Sequence, residues 1–319
     1  MAPHGKVSFY VGVNQAAFFE NEFGITVYLY EQICTMIRVR DLNFTYSKTK
    51  KKAIHDMNFD IHEGDIFGFL GPNGAGKTTT QRLIIGLLRN YSGSIEVLGK
   101  ERNQWGKDFY EQIGVAFDFP NLYAKLTAKE NLQLIGAYYK NFIGNPDALL
   151  DQVGLLADKD VRVENFSKGM KMRLNFIRSI MHNPDLLFFD EPTSGLDPVN
   201  SHIIKEIILQ QKKNNKTIFL TTHNMTVAEQ LCDRVAFIVE GKIVVTGSPK
   251  DLMIEHGKRI VKVEFQKNGK LVGQDFDLQS IGSNRAFMDV LKSGNVKTIH
   301  SCEASLEDIF IKLTGRNLI

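Results

Sequence analysis

From Met36 onward, apolar and polar positions follow two alternating periods. "IRVRDLNFTY" at 37–46 nearly alternates, as a half-buried strand does. Further on, short continuous apolar runs read as strands covered on both faces: "DIFGFL" before a glycine-rich loop, "DLLFFDE", "TIFLTTH" and "RVAFIVEGKIVVTG". Helical spacing separates them in "TTTQRLIIGLL" and "HIIKEIILQQKKNNK". Strands alternating with helices predict an α/β fold on a largely parallel sheet between Met36 and about Pro249. From about 118 to 185 the strand runs stop and helical spacing dominates, which predicts a helical insert within the α/β body.

The pattern changes again near Lys258. "RIVKVEF" alternates, "KNGK" signals a hairpin, and "LVGQDFDL" continues the alternation. A helix in "RAFMDVLKSG", a strand in "VKTIHS" and a last helix follow, the last opened by Ser305 and Asp308 in capping-box spacing. Residues 258–319 are therefore expected to form a small α+β appendix, whose role the pattern leaves open. Residues 1–35 have apolar and aromatic content without a clean period and are expected to lie outside the main domain, 36–249. Their longest uncharged stretch, "VSFYVGVNQAAFF", contains Asn14 and Gln15 and is too short to span a bilayer. It is also a poor signal-peptide core. Any membrane role is expected to come through a partner.

Composition adds little to this picture. A net charge of +3 over 319 residues gives no case for a nucleic-acid surface. The basic run "SKTKKKA" at 47–53 reads as a solvated hairpin turn, with a docking patch as the alternative. Cys34, Cys232 and Cys302 are far apart and odd in number, which fits a reduced compartment rather than disulfides or a metal motif.

The chemistry concentrates in a few stretches. "GPNGAGKTT" at 71–79 matches the phosphate-loop pattern, with a strand before it and a helix after it. Gly71, Pro72, Asn73, Gly74, Ala75 and Gly76 form the loop whose N–H groups face phosphate oxygens. Lys77 supplies a charge for the β- and γ-phosphates, and Thr78, followed by Thr79, places a hydroxyl for Mg²⁺. "DLLFFDE" ends in Asp190, a candidate for the Mg²⁺ shell, and Glu191, a candidate for polarising an attacking water. His223 leaves a strand at the edge where parallel sheets bind ligands, and reads as a γ-phosphate sensor. In "NFSKGMKMRLNF", Ser167 and Gly169 precede a basic helix, and a hydroxyl and a glycine at a helix start read as an anion site.

Together these pieces stand in one order: phosphate loop, helical insert, "FSKGM", "LLFFDEPTSGLD", "TTH". The order resembles the ATP-binding subunits of ABC transporters over about 36–249. "FSKGM" is a variant of the family's Leu-Ser-Gly-Gly-Gln signature, in which Ser167 and Gly169 match and Lys168 and Met170 depart. The variant, and the ending "ASLEDIFIKLTGR", look like those of single-cassette export subunits for drugs, bacteriocins and similar cargo. The resemblance implies a P-loop NTPase core with an antiparallel β subdomain and a helical insert, ATP and Mg²⁺ as cofactors, and ATP hydrolysis. It implies a second ATP-binding subunit, so that Ser167 and Gly169 serve the ATP of the partner, and separate membrane-spanning permease subunits. Such a chain sits in the cytoplasm on the inner face of the membrane. Tyr46 then fits the aromatic that stacks on adenine, with an ordinary strand aromatic as the alternative, and Asp197 of "SGLD" fits a dimer-contact loop. Asp118 stands where the family has a metal-contacting Gln; it reads as a metal ligand or as a turn cap. A soluble family member acting on DNA would carry a long coiled coil, and one acting on ribosomes two cassettes. Neither is present, and no nucleic-acid partner is expected.

Overall fold

The structure is a computed structural model of the 319-residue chain. It describes residues 34–315, apart from 49, 141, 143, 258, 259, 268 and 303, with Cys302 in backbone only, and the backbone of 16–20 and 26–30. Ala16–Glu20 and Thr26–Tyr30 pair as an antiparallel ribbon. The rest of the N-terminal segment, Asn14 and Gln15 included, lies outside the described residues.

The centre is a six-stranded sheet in the order Lys242–Gly247, Arg234–Val239, Ile66–Leu70, Thr217–Thr222, Leu186–Asp190, Ile113–Ala116. All its pairs are parallel except the edge hairpin Arg234–Val239/Lys242–Gly247. The apolar runs are continuous because both faces are covered. Ile66, Leu70, Leu187, Phe189, Ile218 and Leu220 enter one core. Their neighbours Phe67, Phe69, Leu186, Phe188 and Phe219 enter the other. The first core is closed by helices, among them Ala128–Gly136, Pro146–Gln152 and Lys168–Ile180, which lie in the stretch expected to be helical. Among the described residues no strand occurs between Ala116 and Leu186. The second core is closed by an antiparallel sheet in the order Lys52–His62, Thr35–Thr45, Ser92–Val97, Lys100–Glu101. Phe59 of that sheet packs on Phe67, Phe69 and Phe219, with ring centroids 4.9–6.4 Å apart. The basic run at 47–53 lies at the hairpin of its first two strands, where Tyr46 N donates to Lys51 O at 3.0 Å.

The C-terminal region divides between two cores. Ile260–Lys267, Lys270–Asp277 and Val296–Cys302 form a separate antiparallel sheet. Its small core of Val261, Val263, Phe265 and Phe276 is covered by Phe287 and Val290 of helix Arg285–Lys292. The last helix, Leu306–Thr314, opens on the expected Ser305–Asp308 capping box. It packs on the main body: Leu306, Ile309 and Phe310 belong to the first core, Phe310 meets Phe237 edge-on at 5.3 Å, and Leu306 N donates to Glu229 at 2.7 Å. Cys34 is exposed, and Cys232 is buried with its thiol pushed well above the ordinary range by desolvation.

Candidate nucleotide site

The phosphate loop joins strand Ile66–Leu70 to helix Lys77–Ile84. Its shape requires glycine at two points. A Cβ on Gly71 would lie 2.2 Å from the Ile238 carbonyl, and Gly76 caps the helix at a φ of 112°. Gly76 offers no side-chain cap, so the first N–H groups of the helix stay open towards an anion. In front of them lies a cavity of about 580 Å³. Asn73 through Thr79 line it, together with Tyr46, Lys51, Lys52, Ala53, His55, Asp118, Asp190, Glu191 and Glu240. Its size is that of a small-ligand or cofactor site.

Lys77 is buried, and its ammonium donates to the carbonyls of Gly71 at 2.5 Å and Pro72 at 3.2 Å. Burial pulls its pKa below the ordinary lysine range, while Glu191 and Asp190 push the other way. A phosphate oxygen in the cavity would compensate this desolvated cation. The Thr78 hydroxyl donates to the Asp190 carboxylate at 3.0 Å. The Thr221 hydroxyl donates to the same carboxylate, which the parallel pairing Asp190↔Thr221 brings alongside. Glu191 leaves the strand in the left-handed region at φ 51°, an uncommon conformation for a residue with a side chain. Its carboxylate accepts from the His223 backbone N–H at 2.9 Å, from the Thr222 hydroxyl at 3.0 Å, and lies 2.7 Å from His223 Nδ1. His223 is thus a partner of Glu191 and does not itself line the cavity.

The Tyr46 ring lines the cavity, its hydroxyl 3.0 Å from Thr79 Oγ1 and its edge against Phe44. Asp118 lines the cavity too and makes no hydrogen bond to a described residue, which removes the turn cap as its local explanation. Among the described residues no three His, Cys, Asp or Glu side chains converge on one point, so Asp118 does not join Asp190 and Glu191 in a preformed cage. Thr78 and Asp190 by themselves supply adjacent hard oxygen donors of the kind Mg²⁺ takes in nucleotide sites, and the residues present fit that ion.

Ser167, Gly169 and Asp197 lie away from this cavity, and they lie together. Ser167 caps helix Lys168–Ile180, accepting from Met170 N at 3.2 Å. A Cβ on Gly169 would sit 3.6 Å from Leu196, and one on Gly195 would sit 3.3 Å from the Lys168 ammonium. Asp197 caps helix Pro198–Lys213, and its hydrogen bonds to Asn200 hold its carboxyl below the usual range. The sequence reading missed Thr221 and Thr222, which hold the two carboxylates. It also missed Lys51, Lys52, His55 and Glu240 on the cavity wall. The two threonines were visible as "TTH" at a strand end, whereas the wall residues depend on how the antiparallel sheet packs.

A family model described as ABC transporter matches residues 54–194. A fluoroquinolones export ATP-binding protein of Mycobacterium tuberculosis is 50% identical over 284 residues, 89% of this chain and 94% of that protein. The chain belongs to the ATP-binding subunits of ABC transporters. Bacitracin transport ATP-binding protein BcrA of Bacillus licheniformis is 36% identical to this ABC subunit over 309 residues, 89% of the chain and 99% of BcrA. Among solved structures, an ATP-binding subunit of an ABC transporter superposes with a TM-score of 0.63 at 29% identity, over 69% of this chain and 93% of that one. A second family model, described as fluoroquinolone efflux ABC transporter C-terminal domain, matches 259–303 of this ABC subunit, the stretch that holds the separate three-stranded sheet. No helix among its described residues is long and apolar enough to cross a membrane.

Proposed function

We propose that this subunit hydrolyses ATP to ADP and phosphate and that two such subunits, alike or different, power export through separate membrane-spanning permeases. The chain would then sit on the cytoplasmic face of the membrane. The observation that carries the reading is the Glu191 carboxylate, fixed at the cavity edge by His223 and Thr222 beside the Thr78–Asp190 pair. Glu191 orients and polarises the attacking water, and His223 holds Glu191 in place. The loop N–H groups and Lys77 hold the β- and γ-phosphates, and Tyr46 stacks on adenine. Thr78 and Asp190, with Asp118 as a further oxygen ligand, would hold Mg²⁺, which when bound neutralises charge on the β- and γ-phosphates.

The separation of Ser167, Gly169 and Asp197 from the cavity of their own chain supports a head-to-tail pair in which these residues complete the partner's site. The names of the relatives, exporters of fluoroquinolones and a bacitracin transporter, support a drug-type cargo such as a fluoroquinolone.

The test mixes two inactive proteins. Lys77→Ala removes the phosphate cation. Gly169→Asp places a negative charge against the partner's γ-phosphate, and the fold accepts it because a Cβ there meets nothing closer than Leu196 at 3.6 Å. Each variant alone has only defective sites. A mixed pair contains one site with both lesions and one intact site, so mixing should restore ATPase activity, with the permease present if pairing needs it. Mixed pairs without any activity would mean that the two sites are strictly coupled or that the signature turn acts within its own chain.

A further inference from the structure

Helix Lys77–Ile84 opens with three consecutive threonines after its lysine, although threonine is a poor helix former. Their hydroxyls take three directions. Thr78 donates to Asp190 at 3.0 Å. Thr80 turns back and donates to Gly76 O at 3.0 Å, the local bond that threonine commonly makes inside a helix. Thr79 makes neither bond. The carbonyl four residues before it, Ala75 O, already accepts from Gly241 N at 2.8 Å. The Thr79 hydroxyl instead lies 3.0 Å from the Tyr46 hydroxyl, which joins the phosphate-loop helix to the end of strand Thr35–Thr45 in the antiparallel sheet.

This bond holds the free end of the Tyr46 ring. Phe44 meets the ring edge-on, with centroids 4.9 Å apart and planes at 81°, which sets its tilt. Thr79 fixes where its tip stands, and among the described residues no other hydrogen bond reaches the Tyr46 hydroxyl. Both side chains line the cavity. Thr79 stands in the first turn of the helix, where backbone N–H groups lack intrahelical partners. A hydroxyl has one hydrogen to donate and two lone pairs that accept. Tyr46 O–H can therefore donate to Thr79 Oγ1 while Thr79 O–H donates to a phosphate oxygen in front of that turn.

We propose that Thr79 is a positioning residue for the Tyr46 ring, so that phosphate and base are read through one chain of hydroxyls running from the phosphate through Thr79 to Tyr46. The inference rests on the ATP reading of the cavity above. A phosphate oxygen takes the Thr79 hydrogen, which leaves Thr79 Oγ1 to accept from Tyr46. Each bond in such a chain polarises the next, and the ring is fixed as a platform for adenine. Without the Thr79 hydroxyl the loop still binds phosphate, but the ring is no longer held at one place and part of the stacking is lost.

The experiment uses the full chain and ADP, which binds without turnover, with affinity read by equilibrium dialysis at constant Mg²⁺. Tyr46→Ala removes the platform and should weaken ADP roughly five- to hundredfold, the range for a base stacked on an aromatic ring. Tyr46→Phe keeps the ring and loses only the hydroxyl bond, so ADP should weaken about fivefold. Thr79→Val keeps the branched shape without the hydroxyl and should cost at least as much, and Thr79→Ser should recover most of the loss. Because Tyr46→Phe and Thr79→Val break the same bond, the double variant should match Thr79→Val alone within about twofold. Unchanged affinity in Tyr46→Phe overturns the proposal, and that variant decides it alone if Thr79→Val does not fold. A double variant in which the two losses multiply overturns it too, since Thr79 and Tyr46 would then act separately. If Tyr46→Ala itself leaves ADP affinity unchanged, the stacking reading falls and the positioning role falls with it.

Discussion

Replacing His223 by alanine separates orientation of Glu191 from its chemistry. The substitution removes the Nδ1 contact to Glu191 Oε1 at 2.7 Å and leaves the backbone N–H of residue 223 at 2.9 Å and the Thr222 hydroxyl at 3.0 Å. The carboxylate therefore keeps two of its three holders. A hydrogen bond to a charged group contributes about 1.5–3 kcal/mol. The His223 side chain is 47% exposed, so water replaces part of what is lost and the low end applies. About 1.5 kcal/mol in the transition state is roughly a tenfold fall in kcat. KM should stay nearly constant, because the imidazole does not line the cavity. His223→Asn, which restores a polar group at the same place, should recover part of the rate. Steady-state ATPase assays and nucleotide-binding titrations suffice. A kcat within about twofold of wild type would show that Thr222 and the backbone hold Glu191 alone, and a loss beyond about a thousandfold would make His223 a direct participant.

Two further substitutions address Asp118 and Gln81. Asp118→Ala should weaken Mg²⁺-dependent turnover, read as a higher Mg²⁺ concentration at half-maximal rate; an unchanged titration would place the carboxylate outside the metal shell. Gln81, on the phosphate-loop helix, is fully buried with neither amide atom paired among the described residues. Gln81→Met keeps length and helix propensity and removes that penalty, so urea unfolding should show a gain of about 1–3 kcal/mol at constant slope. A loss would mean that the amide is hydrogen-bonded in solution.

The phosphate loop was legible in the sequence because its groups come from one contiguous turn. Spacing within "GPNGAGKTT" fixes their geometry whatever surrounds them. The buried strands were legible for a similar reason: a sheet covered on both faces needs unbroken apolar runs, and "DIFGFL" and "DLLFFDE" have them. Capping at Ser167 and Ser305 is equally local.

Tertiary structure alone decided what depends on pairing between distant segments. The register Asp190↔Thr221 puts two threonines and a histidine around two carboxylates, and no local preference of either strand encodes that register. The carbonyls of Phe117 and Asn121 are held by Asn175 and Arg178, more than fifty positions away, a contact that no local preference encodes. The final helix reads as the end of a small appendix, yet Phe310 packs on Phe237 of the central sheet. Periodicity shows which face of an element is apolar. Which other apolar face it meets is settled only when all of them compete for burial at once.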